Sequence, residues 1–134
     1  MITLADRMEI HELINLYGHV VDERQWERVA ELFTDDALFD ASEAGGMVVT
    51  GWRAVADHWA DPATRHPLAH HATNIVIGAC DGESVTVTFK GLGVGYRGRV
   101  GTLVYHAVAV PGPGGWRLAR LSAHLRQPPP DAGS

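Results

Sequence analysis

The chain has 134 residues and a single cysteine, Cys80, so no internal disulfide can staple it. No apolar run approaches the ~20 residues that a membrane-spanning helix needs. Blocks of Lys or Arg are missing too. Eleven basic residues stand against 16 acidic ones, for a formal net charge of −5. That balance excludes the basic patch with which a nucleic-acid module neutralises phosphates. The opening stretch, MITLADRMEIHEL, carries acids early and has no uninterrupted apolar core, so it does not read as a signal peptide. A cytoplasmic protein is the expectation. Metal-ligand spacing is lacking as well. His70 and His71 fall where a strand is expected, with His66 just ahead of it, and i and i+4 do not converge there as they do on a helix. No metal is expected.

What is present is an ordinary globular balance of 46% hydrophobic and 20% charged residues. This supplies a core and leaves apolar material to line a pocket. One domain is expected over residues 1–126, with QPPPDAGS (127–134) as a flexible tail.

Residues 3–21 read as a helix. Thr3 and Asp6 have capping-box spacing, and Ile10, Leu13, Ile14, Tyr17, Val20 and Val21 recur on one face. A second helix is expected over 25–33 and is broken by TDD (34–36). ALFDAS (37–42) and MVVT (47–50) read as a hairpin around EAGG. GWRAVADHWA (51–60) reads as a third helix, stopped by Asp61-Pro62. The remainder is β: strands over 68–80, 84–90, 102–110 and 116–126. DGE (81–83) and PGPGG (111–115) mark the turns between them. The glycine-dense 91–101 fits a strand pair that bends or bulges, or a loop over a cavity mouth. Helices first and strands after predict an α+β fold: three helices packed on one face of a curved, mainly antiparallel sheet, with a cone-shaped cavity between.

Alternation along 68–80 puts His70, Ala72, Asn74 and Val76 on one face and His71, Thr73, Ile75 and Ile77 on the other. The first face mixes polar and small groups, as a pocket lining does. His70 is then either a working histidine or a buried one satisfied by a backbone carbonyl. His66, before Pro67, reads as a solvated loop residue. Tyr17 could present its hydroxyl to a substrate oxygen, and Asn74 could bond a substrate carbonyl or bridge strands. Trp52, His58 and Trp59 could wall the cavity mouth. Trp116, Leu118, Arg120, Ser122 and His124 share a face by alternation, and Arg120 could steady a developing anion. Cys80 has no motif that would make it a nucleophile.

The segments IHELINLYGHVVDERQWERVAELFTDDALFD, GWRAVADHW, HHATNIVI and GGWRLARL together resemble the SnoaL-like branch of the nuclear-transport-factor-two-like superfamily, across about residues 4–126. That branch holds scytalone dehydratase, lindane dehydrochlorinase, ketosteroid isomerase, polyketide cyclases and the non-catalytic β subunits of ring-hydroxylating dioxygenases. In the dehydratase and the dehydrochlorinase, an Asp after the first helix pairs with a strand His as an acid–base dyad. VVDERQW puts Asp22 in the Asp position and HHATN puts His70 in the His position. The chain departs from scytalone dehydratase where Val21 replaces the tyrosine before that Asp. A second catalytic His of that enzyme aligns near Gly95 here.

The resemblance implies a cofactor-independent enzyme, a dehydratase or lyase, isomerase or cyclase, acting on a small hydrophobic molecule such as a polyketide-type metabolite. Asp22 and His70 would be catalytic; Tyr17, Asn74, Trp59 and Arg120 would contact substrate. It also implies a homodimer; charge and hydropathy already lead to the expectation of no nucleic-acid or membrane partner. The alternative is a non-catalytic binding or assembly protein of the same fold.

Overall fold

The computed structural model describes residues 1–131, so the last three positions of the expected tail lie outside the described residues. Helix α1 (Leu4–Asp22) begins as its sequence demands. The Thr3 hydroxyl accepts from the Asp6 N–H at 3.0 Å, and the Asp6 carboxylate accepts from the Thr3 N–H at 2.8 Å. This reciprocal pair satisfies donors that a helix start leaves free. Ile10, Leu13, Ile14, Tyr17, Val20 and Val21 form the buried face. Among the described residues no helix is long and apolar enough to cross a membrane.

The second helix is a 3-10 turn over Trp26–Glu31 rather than an α-helix reaching Phe33. Strand β1 runs Phe33–Asp40, so the TDD segment expected to break a helix lies within a strand. The reason is a register irregularity between Phe33 and Leu38, which leaves Asp35 and Asp36 in solvent. Polar residues that compete with a ladder locally are tolerated at such a bulge. Strand β2 (Val48–Thr50) returns antiparallel to β1 as expected, and α2 (Trp52–Ala60) ends at Asp61.

Strands β3 (Ala69–Asp81), β4 (Ser84–Val94), β5 (Val100–Val110) and β6 (Arg117–Leu125) form successive antiparallel pairs. The Asp81–Ser84 turn holds Gly82 at φ +60°, a left-handed conformation that suits glycine. The glycine-dense segment is mostly strand, with a short turn at Tyr96–Gly98. Sheet order is β2-β1-β6-β5-β4-β3, and only β1 with β6 runs parallel. The sheet is curved and unclosed. Its concave face meets the helices in a core that includes Phe33, Trp59, Val87, Phe89, Leu118 and Leu121. The fold is therefore the expected α+β architecture, with three helices on a mainly antiparallel sheet.

Two bulges overturn the alternation read from sequence. Pairing of β3 with β4 shifts between Thr73 and Val76, and Asn74 sits there at φ +55°. His70 and Ala72 face inward before the bulge. After it the phase reverses: Ile75 and Ile77 pack against the core, while Val76 is 63% exposed. Asn74 therefore does not share the pocket face of His70. Pairing of β5 with β6 shifts between Val108 and Ala109, so Leu118, Leu121 and Ala123 are buried while Arg120 is exposed.

The left-handed backbone at Asn74 generates a test. Asn74→Gly should change unfolding free energy by less than about 0.5 kcal/mol. Asn74→Val should cost about 1–2 kcal/mol, because a β-branched side chain resists positive φ. Urea midpoints of the two variants measure both.

Candidate active site

The site begins where α1 passes β3. A Cβ placed on Gly18 would stand 2.7 Å from the His70 carbonyl oxygen. Only a residue without a side chain allows this approach of helix backbone to strand backbone. One turn later the helix delivers Asp22. Its Oδ1 lies 2.6 Å from His70 Nδ1, and its two oxygens accept from the His70 main-chain N–H at 3.1 and 2.9 Å. Both side chains are mostly shielded, at 19% and 15% exposure. An ionised carboxylate can only accept, so a neutral His70 carries its proton on Nδ1. The free lone pair is then on Nε2, and His70 lines a cavity of about 480 Å³.

Tyr17 closes the base of that cavity. It is 6% exposed and meets His70, Trp59 and Tyr105 edge-on, with ring centroids 5.9, 5.5 and 6.0 Å apart. Burial raises its pKa well above the ordinary tyrosine value, and the neighbouring Tyr105 and Asp22 add to this. Tyr17 therefore stays a neutral phenol that can donate a hydrogen bond. Tyr105, stacked on Phe89 at 4.7 Å, is also raised by burial. A Cβ on Gly91 would lie 2.4 Å from the Tyr105 ring, so glycine at that position makes room for it. Sequence reading missed Tyr105. The signal was the hairpin count that sets Phe89 opposite Tyr105.

The other nominated residues are placed apart from this base. Trp59 is buried behind Tyr17, packed edge-on against Phe33 and Phe39 as well, and so belongs to the core rather than to the mouth. Asn74 is exposed on its bulge. Arg120 faces outward, where its charge helps to hold the Asp40 carboxyl below its usual range, after the Ser42 hydrogen bonds that contribute most. Cations do line the cavity, but they are Arg65 and Arg99, which sequence reading did not single out. Among the described residues no group of three or more His, Cys, Asp or Glu converges as a metal site.

The remaining histidines divide. His66, expected in solvent, is half-buried. Its Nε2 lies 2.8 Å from the Trp59 carbonyl, and its ring lies 5.8 Å from Trp26 and 6.4 Å from His70. Burial lowers its pKa, and the charges of His70, Arg24 and His58 act the same way against the Trp59 bond. His71 is exposed at the cavity rim. His106 and His124 lie together on the convex face, their rings 5.2 Å apart, with His124 paired to Glu43.

The SnoaL-like domain family model matches residues 3–122. Among solved structures, a candidate aromatic ring hydroxylase from Novosphingobium aromaticivorans is 26% identical with a TM-score of 0.79, over 96% of this chain and 94% of its own. A hexachlorocyclohexane dehydrochlorinase, LinA-type3, from Novosphingobium barchaimii is 23% identical with a TM-score of 0.76, over 98% and 93%. A candidate scytalone dehydratase from Novosphingobium aromaticivorans is 20% identical with a TM-score of 0.74, over 98% and 96%. At these last two identities the likeness establishes the fold. No curated protein matches at significance.

Two measurements follow from this geometry. Gly18→Ala should lift α1 from β3, cost about 1–3 kcal/mol in urea unfolding, and shift the ¹⁵N resonances of the His70 ring as the Asp22 contact lengthens. His66 holds its proton less well folded than unfolded, so its contribution to stability falls as pH drops through the ordinary histidine value of 6.5. His66→Gln keeps a donor for the Trp59 carbonyl without titrating. Its Tm should fall less than wild type's between about pH 7.5 and about pH 5.5.

Proposed function

The chain belongs to the SnoaL-like family, and from that footing we propose that it is a cofactor-independent acid–base enzyme acting on a small hydrophobic molecule. The reaction is an elimination, an isomerisation or a cyclisation. The observation that carries this reading is the 2.6 Å contact of Asp22 with His70 Nδ1 beside an open, largely apolar cavity. It is supported by structural neighbours that include a dehydrochlorinase and a candidate scytalone dehydratase.

In this mechanism His70 Nε2 removes a proton from substrate carbon. Asp22 holds the ring orientation and stabilises the imidazolium that forms. The Tyr17 phenol, kept neutral by burial, donates to the oxygen or leaving group on which charge collects. The three reaction classes share these steps and differ in what the carbanion-like species does next: expel a β substituent, take the proton back at another carbon, or attack an internal carbonyl. A positioned base contributes about 10²- to 10⁴-fold. The cavity is part of the same design, because Gly91, Gly93 and Gly101 occupy inward positions where other residues would fill it.

The test is conversion of a panel of β-hydroxyketones, enones and chlorinated cyclohexanes, followed by mass spectrometry. On any compound converted, His70→Ala should lower kcat/KM by about 10²- to 10⁴-fold. Asp22→Asn should do the same, because an amide donor opposite Nδ1 moves the ring proton to Nε2 and removes the base. Full activity in either variant rejects the mechanism. Gly101→Leu offers a third check. A Cβ there meets nothing within 4 Å, so the side chain should enter the cavity, block turnover and leave Tm unchanged.

A further inference from the structure

The permanently charged groups among the residues lining the cavity are Arg65 and Arg99, and no Asp or Glu lines it. This is the reverse of the whole molecule, whose formal net charge is −5. Arg65 comes from the segment between α2 and β3, and Arg99 from the connection between β4 and β5. Both are exposed and both line the cavity, which puts them at its mouth, while buried Tyr17 and half-buried His70 form its base. Among the described residues neither guanidinium has an ion-pair partner; the charged pairs are Arg28–Glu31, His70–Asp22 and His124–Glu43. Neither side chain makes a hydrogen bond to protein there, which leaves both forks available to a ligand.

We propose that Arg65 and Arg99 form a two-sided anion clamp, and that the molecule taken up is a hydrophobic carboxylic acid. Its carboxylate sits between the guanidiniums and its apolar body lies against Phe89, Leu103 and Tyr105. Guanidinium forks match the two oxygens of a carboxylate, with up to two N–H···O bonds from each arginine. A cavity of about 480 Å³ accepts a body of two fused rings. The acidic exterior repels anions, and the basic mouth draws a carboxylate in against that background. The inference deepens the reading of this cavity as a substrate site and rests on it.

The experiment compares 2-naphthoate with its neutral isostere 2-naphthamide by titration calorimetry. It uses wild type, the double variant Arg65→Gln/Arg99→Gln, His70→Ala and Gly101→Leu. Wild type should bind the acid about tenfold or more tightly than the amide, since charge-assisted bonds at an exposed rim survive screening only in part. Raising the salt concentration should narrow that gap. The double variant should lose the preference while keeping its affinity for the amide, and His70→Ala should retain the preference. Gly101→Leu should bind neither probe. Equal affinity for acid and amide in wild type, or a preference that survives in the double variant, overturns the clamp. If both probes bind Gly101→Leu as they bind wild type, or if neither binds wild type, the substrate-cavity reading fails with it. Because binding is read without turnover, loss of the clamp and loss of the acid–base mechanism are distinguishable.

Discussion

The arrangement of this molecule depends on how closely α1 can lie on β3. At Gly18 the helix backbone comes within van der Waals reach of the His70 carbonyl, with no space for a methyl group. Asp22 is one turn further along the same face, so the same contact carries its carboxylate to the main-chain N–H and the ring of His70. The position is unfavourable on local grounds. Asp22 is the last residue of α1, where the helix dipole is negative and repels a carboxylate. Donors from a neighbouring strand offset that repulsion, and they exist only when the helix is seated. Packing and chemistry are therefore one constraint: whatever loosens the helix leaves a half-buried carboxylate short of donors.

The sheet divides its labour along its length. At one end the inward positions carry Val85, Val87, Ala107, Ala109, Leu118 and Leu121, which are buried and supply cohesion. At the other end Gly91, Gly93 and Gly101 take the inward positions. Glycine in a strand costs conformational entropy and contributes no packing. A structure carries it there when the space matters more than the contact. Tyr105 and Tyr17 lie at the boundary, both buried and both lining the cavity, with their rings edge-on and 6.0 Å apart.

The two α-helices were legible because their signals are local, whereas the helix expected over 25–33 is a 3-10 turn over Trp26–Glu31. The Thr3–Asp6 cap and the spacing from Ile10 to Val21 place α1 to within a residue. Resemblance carried the pairing of Asp22 with His70, since nothing in the spacing of residues 48 positions apart dictates contact. Asn74 and Arg120 were nominated by strict alternation, and each lies on the far side of a bulge or beside one. A bulge inverts every side chain beyond it, yet it is decided by the partner strand as much as by its own residues. Asn74 left a faint local sign, because asparagine tolerates positive φ better than its neighbours do. Arg65 left none, since it sits in an unpatterned connection. Arg99 falls in the glycine-dense 91–101, one reading of which is a loop over a cavity mouth, but only the folded chain shows that the two connections meet at one cavity.

Charge is placed in two separate parts of this cavity. Asp22 holds the shielded side of the His70 ring, while Arg65 and Arg99 stand exposed at the mouth, where solvent and salt screen their field over about a Debye length. On the proposed reading the two charge systems act on different parts of one ligand. A carboxylate held outside and a reacting carbon held inside fix the molecule at both ends. This limits it to orientations in which a C–H bond can face Nε2, and restriction of geometry of this kind can supply a large share of a rate enhancement.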